Sequence, residues 1–346
     1  MIHSLMLKAI RLARNGKPAP NPKVGSLIIK EGRIVGTGFH RRAGYPHAET
    51  IALIEAGTKA RGGTLITTLE PCCHYGQTPP CTDQIIKFGI RKVMVGMIDP
   101  NPIVSGMGIR RLEEAGCEVE VGIEASRCEE LNRGYIKRIK TGLPYTMVKI
   151  ASSLDGRIAT VTGESKWITS LTSRRWAHLL RSRVDAVVIG IGTVLSDDPE
   201  LTVRLVPGEN PARIIIDPEL KIRERDRVLS EEGRTIILSK KDGKRPKAEV
   251  VLLERFDPES ILKKIGSLGF NEIMIEGGGK IFSSIIRSRL FDEIIIIYGP
   301  VLLGDGIPFT RFPIERLSDG LRLKVKDVKR SGPDLIVELE RCLPGS

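Results

Sequence analysis

The sequence predicts an α/β protein of two domains, and three observations carry that prediction. Its 346 residues exceed one average domain. Strand-like apolar runs alternate with amphipathic helical stretches along both halves, the pattern of sheets covered by helices. Cysteine and charge are uneven: five of the six cysteines precede position 130, and residues 1–145 hold 21 basic against 13 acidic side chains. Gly142 and Pro144 punctuate the end of a basic helical stretch, so the domains are expected at 1–143 and 144–346.

The elements follow in order. Ile2, Leu5, Met6, Ala9, Ile10 and Ala13 recur at helical spacing and Asn15-Gly16 stops the run, so a helix opens the chain. Apolar runs at 24–29 and 34–39 form a hairpin about 30–33. A helix at 48–56, a strand at 64–68, a helix at 81–88 and a strand at 92–97 come next. A helix at 110–115, a strand at 117–121 and one helix over 124–140 complete the first half. The second half shows strands at 147–151, 186–190, 213–217, 234–238, 249–253, 272–276 and 293–298, with a helix at 280–290 joining the last two. A hairpin about Ser331-Gly332-Pro333 closes the chain.

Composition narrows the function classes without choosing one. A net charge of +12 suits partners that carry phosphate: nucleic acid, an anionic membrane, or phosphorylated ligands. Only 4% of residues are aromatic, which weakens the case for a binder that stacks single-stranded bases. The longest apolar run without charge, 294–304, falls far short of the roughly 20 residues that span a bilayer. Lys8, Arg11 and Arg14 interrupt any signal-peptide core. A cytoplasmic location is therefore expected, where cysteines serve as buried thiols or metal ligands rather than disulfides.

The sharpest motif is His47-Ala48-Glu49, followed after a strand by Pro71-Cys72 and a loop to Cys81. One imidazole and two thiolates are borderline-soft ligands suited to tetrahedral zinc, with a fourth position left for water. Bound zinc lowers the pKa of that water, and Glu49 stands where it can point into the site without ligating and shuttle protons. The chemistry is hydrolytic deamination, in which water attacks a ring carbon and ammonia leaves. Spacing alone leaves Cys73 and His74 as competing ligands. Cys72 and Cys81 are preferred, because Pro71-Cys72 follows a strand end and Cys81 opens a helix whose N-terminus favours a thiolate. Cys117, Cys128 and Cys342 are expected to be packing residues.

These residues resemble the cytidine-deaminase-like superfamily. The long spacing from Cys72 to Cys81, with Thr78-Pro79-Pro80 before the last cysteine, is similar to the deaminase domain of the bifunctional riboflavin-biosynthesis deaminase–reductase family. Asn21-Pro22-Lys23-Val24-Gly25, Gly38-Phe39-His40 and Asp99-Pro100-Asn101-Pro102 fit the same pattern. The resemblance implies a three-layer amino-terminal domain in which Asn21, His40, Asp99 and Asn101 hold the substrate. Position 77 would lie near the substrate's phosphate, and here it is Gln77 where the family more often has Lys or Arg.

The second half alone gives weak signals. Glu276-Gly277-Gly278-Gly279-Lys280 ends a strand and opens a helix, where bare amides can cradle phosphate. Trp167 and Trp176 are expected to pack. Together, 149–159, 163–169, 193–204, 213–217 and 276–279 resemble the reductase domain of that same family, whose fold is dihydrofolate-reductase-like. The resemblance implies an NADPH site at Ala151, Trp167, Thr193, Asp197, Gly277, Gly278 and Gly279. It implies substrate contacts at Ser165, Arg181, Leu201, Arg204 and Glu276, the arginines suiting a phosphorylated sugar. Lys149 or Asp155 would position the opened sugar or stabilise its imine.

The whole reading is a bifunctional enzyme that needs zinc and NADPH and acts on a small phosphorylated pyrimidine, not on nucleic acid or membrane. It is expected to form a homo-oligomer, a dimer through the reductase domain. A nucleic-acid-editing deaminase leaves the second half unexplained, and a purely structural zinc module leaves Glu49 without a purpose.

Overall fold

The computed structural model describes residues 2–76, 79–230 and 232–342. The chain divides into two compact units, Met1–Leu143 and Pro144–Ser346.

The first unit runs α1 Ile2–Ala13, β1 Gly25–Lys30, β2 Arg33–Phe39, α2 Ala48–Ala56, β3 Thr64–Leu69, α3 Cys81–Lys87, β4 Lys92–Met97, α4 Met107–Glu114, β5 Glu118–Val121, α5 Ala125–Leu131 and α6 Arg133–Thr141. Its five-stranded sheet has the order β2-β1-β3-β4-β5. The β1–β2 and β1–β3 pairs are antiparallel, and β3–β4 and β4–β5 are parallel. Alternation along the central strands sends residues to two cores. Leu27, Ile66 and Met94 meet α1 and α5 on one face, while Ile28, Leu65 and Val93 meet α2, α3 and α4 on the other. This is the three-layer arrangement.

The single helix expected over 124–140 is two helices broken at Asn132, whose φ is −113°. The buried Asn132 side chain leaves the helical pattern to accept from the Lys23 backbone N–H at 2.8 Å and donate to the Lys23 carbonyl at 3.0 Å. Helical periodicity carries no trace of a partner 109 residues away.

The second unit contains β6 Tyr145–Ser153, β7 Arg157–Ala159, α7 Leu171–Arg181, β8 Ala186–Gly190, α8 Ile191–Asp197, β9 Ala212–Ile216, α9 Arg227–Ser230, β10 Thr235–Ser239 and β11 Glu249–Leu252. It continues with α10 Pro258–Ser267, β12 Glu272–Ile275, α11 Gly279–Arg287, β13 Glu293–Gly299, β14 Ile307–Pro308, β15 Leu323–Ser331 and β16 Asp334–Arg341. Nine strands form one sheet, ordered β11-β10-β9-β8-β12-β6-β13-β16-β15. Its pairs are parallel from β11 to β13, and the closing hairpin adds two antiparallel strands. This is the dihydrofolate-reductase-like sheet that the resemblance implies. The helices α7 to α10 had no counterpart among the expected elements. α7 begins where the Ser170 hydroxyl caps the Ser173 N–H, and Asp257 caps α10 in the same way. Among the described residues, no helix is long and apolar enough to cross a membrane.

Candidate active sites in the two units

In the first unit the ends of β3, α2 and α3 converge. His47 is the N-cap of α2 and makes no capping bond through its side chain. Its Nδ1 instead lies 3.3 Å from Cys81 Sγ and 3.5 Å from Cys72 Sγ. Cys72 follows β3, and Cys81 opens α3 with its backbone N–H 3.4 Å from the Cys72 sulfur. Loop closure is completed by Thr82, which donates to the Cys72 carbonyl from both N and Oγ1. The three ligand atoms lie within 4.8 Å of one another. Neither Cys73 nor His74 belongs to this cluster. Contact with the Cys81 thiol and with His47 holds the Cys72 thiol well below the usual range, at about 4.

Glu49 sits in the first turn of α2 with only 3% of its surface exposed, and burial pushes its carboxyl up to about 7. It shares a cavity of about 440 Å³ with His47, Cys72, Asn21, His40, Asp99 and Asn101. All four residues named as substrate contacts therefore line the same cavity as His47, Cys72 and Glu49. His40 donates from Nδ1 to the Pro46 carbonyl at 3.2 Å, which leaves Nε2 to accept from Asn21 Nδ2 at 3.0 Å. Burial lowers the pKa of His40, and neighbouring His47 adds to the effect. Asp99 accepts from Tyr135 Oη at 3.0 Å and from the Asn101 N–H at 2.9 Å. Gln77 lies outside the described residues.

Glu70, also in this cavity, went unnoticed in the sequence. Its buried carboxylate accepts four backbone N–H groups: Asp99 and Gly106 on Oε2 at 3.1 and 3.0 Å, Gly108 and Ile109 on Oε1 at 2.9 and 3.3 Å. It thus caps α4 from another element and fixes the Asp99 turn. A carboxylate beside Pro71-Cys72 was the available signal, but its partners are 29 to 39 residues away.

In the second unit a cavity of about 530 Å³ is lined by Ala151, Ser165, Trp167, Arg181, Thr193, Asp197, Leu201, Arg204, Glu276 and Gly277. Gly278 and Gly279 adjoin it. A Cβ on Gly278 would stand 3.6 Å from Thr193 Oγ1, and Gly279 is the first residue of α11. Trp167 does not pack as expected: it is 62% exposed, with the Arg174 guanidinium 3.9 Å above its ring. Leu201 has φ +57°, a left-handed backbone that turns the chain into the cavity wall.

Glu276 organises this cavity. Its side chain is 7% exposed and accepts from Arg181 Nε at 2.6 Å, Arg181 Nη2 at 3.0 Å and Lys149 Nζ at 3.0 Å. Arg181 and Lys149 hold its carboxyl well below the usual carboxylate range, overcoming the opposing effect of burial. Arg181 also donates to the Thr202 carbonyl at 3.1 Å, so most of its donors are engaged within the protein. Lys149 lines the cavity; Asp155 does not, and binds the backbone N–H groups of Leu303 and Gly304 instead. His178, Arg174 and Arg227 line it too and were missed. Arg174, His178 and Arg181 occupy one face of α7 at i, i+4 and i+7, a spacing visible in the sequence once the helix is recognised.

A His–Cys–Cys cluster able to hold a metal beside a buried glutamate, joined in one chain to an α/β unit with a cationic, glycine-edged cavity, defines a zinc deaminase fused to a nucleotide-dependent reductase. Family models agree in both units: "Cytidine and deoxycytidylate deaminase zinc-binding region" matches residues 1–97 and "RibD C-terminal domain" matches residues 144–337. The chain is 44% identical to the riboflavin biosynthesis protein RibD of Aquifex aeolicus, covering 97% of both chains, and 40% identical to that of Escherichia coli, covering 96% of this chain and 98% of the relative. Among solved structures, RibD of Acinetobacter baumannii superposes with a TM-score of 0.91 at 34% identity over 99% of each chain. A Thermotoga maritima protein described as a diaminohydroxyphosphoribosylaminopyrimidine deaminase/5-amino-6-(5-phosphoribosylamino)uracil reductase gives 0.90 at 37% identity, again over 99% of each. The chain belongs to the RibD family of bifunctional riboflavin-biosynthesis deaminase–reductases. Zinc in the first unit and NADPH in the second are its cofactors.

Proposed function

We propose that residues 1–143 deaminate 2,5-diamino-6-ribosylamino-4(3H)-pyrimidinone 5′-phosphate at its C2 amine. Residues 144–346 then reduce the ribosyl side chain of 5-amino-6-(5-phosphoribosylamino)uracil to ribityl. The observation that carries the reading is the placement of Glu49 in one cavity with the His47–Cys72–Cys81 cluster and with Asn21, His40, Asp99 and Asn101.

His47, Cys72 and Cys81 suit zinc, since one imidazole and two thiols converge with room beside them in the cavity. The metal, when bound, supplies a Lewis acid that makes water nucleophilic near neutral pH. Asn21, His40, Asp99 and Asn101 hold the pyrimidine so that its C2 faces Glu49. Glu49 takes a proton from the attacking water and hands it to the C2 amine, which leaves as ammonia.

The second cavity suits a phosphorylated dinucleotide: α11 opens on bare glycine amides, and six cationic side chains face four carboxylates along the wall. NADPH, when bound, would supply the hydride for C1′ of the opened sugar, with a proton completing the amine. Ala151, Trp167, Thr193, Asp197, Gly277, Gly278 and Gly279 hold the cofactor. Ser165, Leu201, Arg204 and the Glu276–Arg181 pair hold the sugar phosphate, and Lys149 orients the reacting end.

The enzyme acts on small molecules in the cytoplasm, not on nucleic acid or membrane, and as a dimer through its reductase unit. Val325 and Val328, 58% and 52% exposed on β15, support that contact, and sedimentation tests it. The reaction is tested with Glu49→Ala: ammonia release is abolished while NADPH oxidation on the deaminated intermediate persists. Loss of both activities in a folded variant overturns the two-site reading.

A further inference from the structure

His178 is buried on α7, 5% exposed, and lines the reductase cavity. Its Nδ1 accepts the backbone N–H of Arg204 at 3.1 Å. An imidazole nitrogen that accepts must carry a lone pair, so the ring is neutral and its proton sits on Nε2. Burial, with Arg181 and Arg204 nearby, lowers the ring's pKa to about 4, which keeps it neutral at working pH. Nε2 has no hydrogen-bond partner among the described residues, yet it is not among the atoms sealed from solvent. The donor therefore opens onto the cavity.

Its surroundings indicate what it meets. Arg174, one turn earlier on the same face, has a buried Nε without a partner. The wall carries Lys149, Lys166, Arg174, Arg181, Arg204 and Arg227 against Asp197, Asp198, Glu200 and Glu276. Glu276 pairs with Lys149 and Arg181, and Glu200 with Arg204 and Arg227, which leaves this wall with a positive surplus. A neutral donor in such a field suits an anionic oxygen, whose charge-assisted hydrogen bond is stronger than a neutral one.

We propose that His178 donates from Nε2 to a phosphate oxygen of the reductase's ligand, while its Nδ1 holds the Arg204 segment in place. The proposal rests on the reading of this cavity as the site of phosphosugar reduction. The phosphate belongs to the sugar substrate or to the dinucleotide, and the test separates the two.

Two substitutions divide the two ring nitrogens. His178→Asn places an amide oxygen where Nδ1 stands, keeping the bond to Arg204, but has no donor at Nε2. His178→Gln reaches toward Nε2 with its amide N–H and gives up the acceptor. Reductase kinetics are measured in the full-length enzyme with the phosphorylated substrate, its dephosphorylated counterpart and NADPH. The Asn variant raises the KM for the phosphorylated substrate, or for NADPH if the phosphate is the cofactor's, by about ten- to a hundred-fold. The Gln variant stays closer to the parent. If the sugar phosphate is the acceptor, the dephosphorylated substrate does not distinguish the Asn variant from the parent. Unchanged KM values for both ligands, a fall in kcat alone, or a Gln variant no better than Asn overturns the proposal. Deaminase activity and the unfolding transition verify that each variant is folded. If Asn does not fold, a Gln variant whose KM is raised ten-fold or more overturns it alone. A parent enzyme with no reductase activity on this substrate would sink the functional reading instead.

Discussion

Arg181 and Glu276 meet side by side, with Nε 2.6 Å from Oε1 and Nη2 3.0 Å from Oε2, and Lys149 completes the carboxylate's shell. Removing Arg181 leaves the buried Glu276 carboxylate with Lys149 but without its bidentate partner, and breaking such a pair costs more than the intact pair contributes. Arg181→Ala should lower the stability of the reductase unit by about 3–5 kcal/mol, less if Lys149 compensates. Denaturant unfolding followed in that unit checks this. The double variant Arg181→Met/Glu276→Leu should be less destabilised than Arg181→Ala, although inactive.

The pH dependence follows from His178. Its folded-state pKa of about 4 lies below the ordinary 6.5, chiefly through burial. The unfolded chain therefore binds the proton first. The stabilising contribution is complete above pH 6.5 and is lost progressively as pH falls from 6.5 to 4. His178→Asn should flatten this part of the reductase unit's stability profile. A profile as steep in the variant as in the parent contradicts the assignment.

Metal removal should divide the two activities. His47, Cys72 and Cys81 are brought together only by the fold of the first unit. A chelator should end ammonia release and lower that unit's stability, because the metal binds the folded form. NADPH oxidation on the deaminated intermediate should continue. Metal analysis should find one zinc per chain in the parent and less in Cys81→Ala.

Glu70 should matter as a positioning residue. Glu70→Ala strips an acceptor from four backbone N–H groups and should cost the first unit about 2–4 kcal/mol. Glu70→Gln should not restore it, because its amide turns a donor toward N–H groups. At a temperature where the variant stays folded, zinc content should persist while the KM of the deaminase rises, since the Asp99–Asn101 turn is what loosens. A variant with normal KM would limit Glu70 to a structural role.

The deaminase chemistry was legible because it is written in short spacings. His47 and Glu49 are two residues apart at a helix start, and Cys72 and Cys81 flank one loop. The strands and most helices of the first unit follow from apolar periodicity. The break at Asn132 does not, because a side chain reaching Lys23 outweighed helical propensity there. In the second unit the arginines were visible, but Arg181 faces Glu276 as well as the cavity.

The sequence by itself marked His47 and Glu49, a short set of competing donors at Cys72, Cys73, His74 and Cys81, and a glycine run at 277–279 that opens a helix, because each depends on residue type at local spacing. Only the tertiary structure decided that His47 turns Nδ1 to the thiols, that Glu276 pairs with both Arg181 and Lys149, that Glu70 gathers four distant amides, and that His178 turns Nδ1 to the Arg204 N–H. Those outcomes join side chains tens of residues apart. Burial makes their polar atoms find partners, and no repeating pattern in the chain records which partner each one finds.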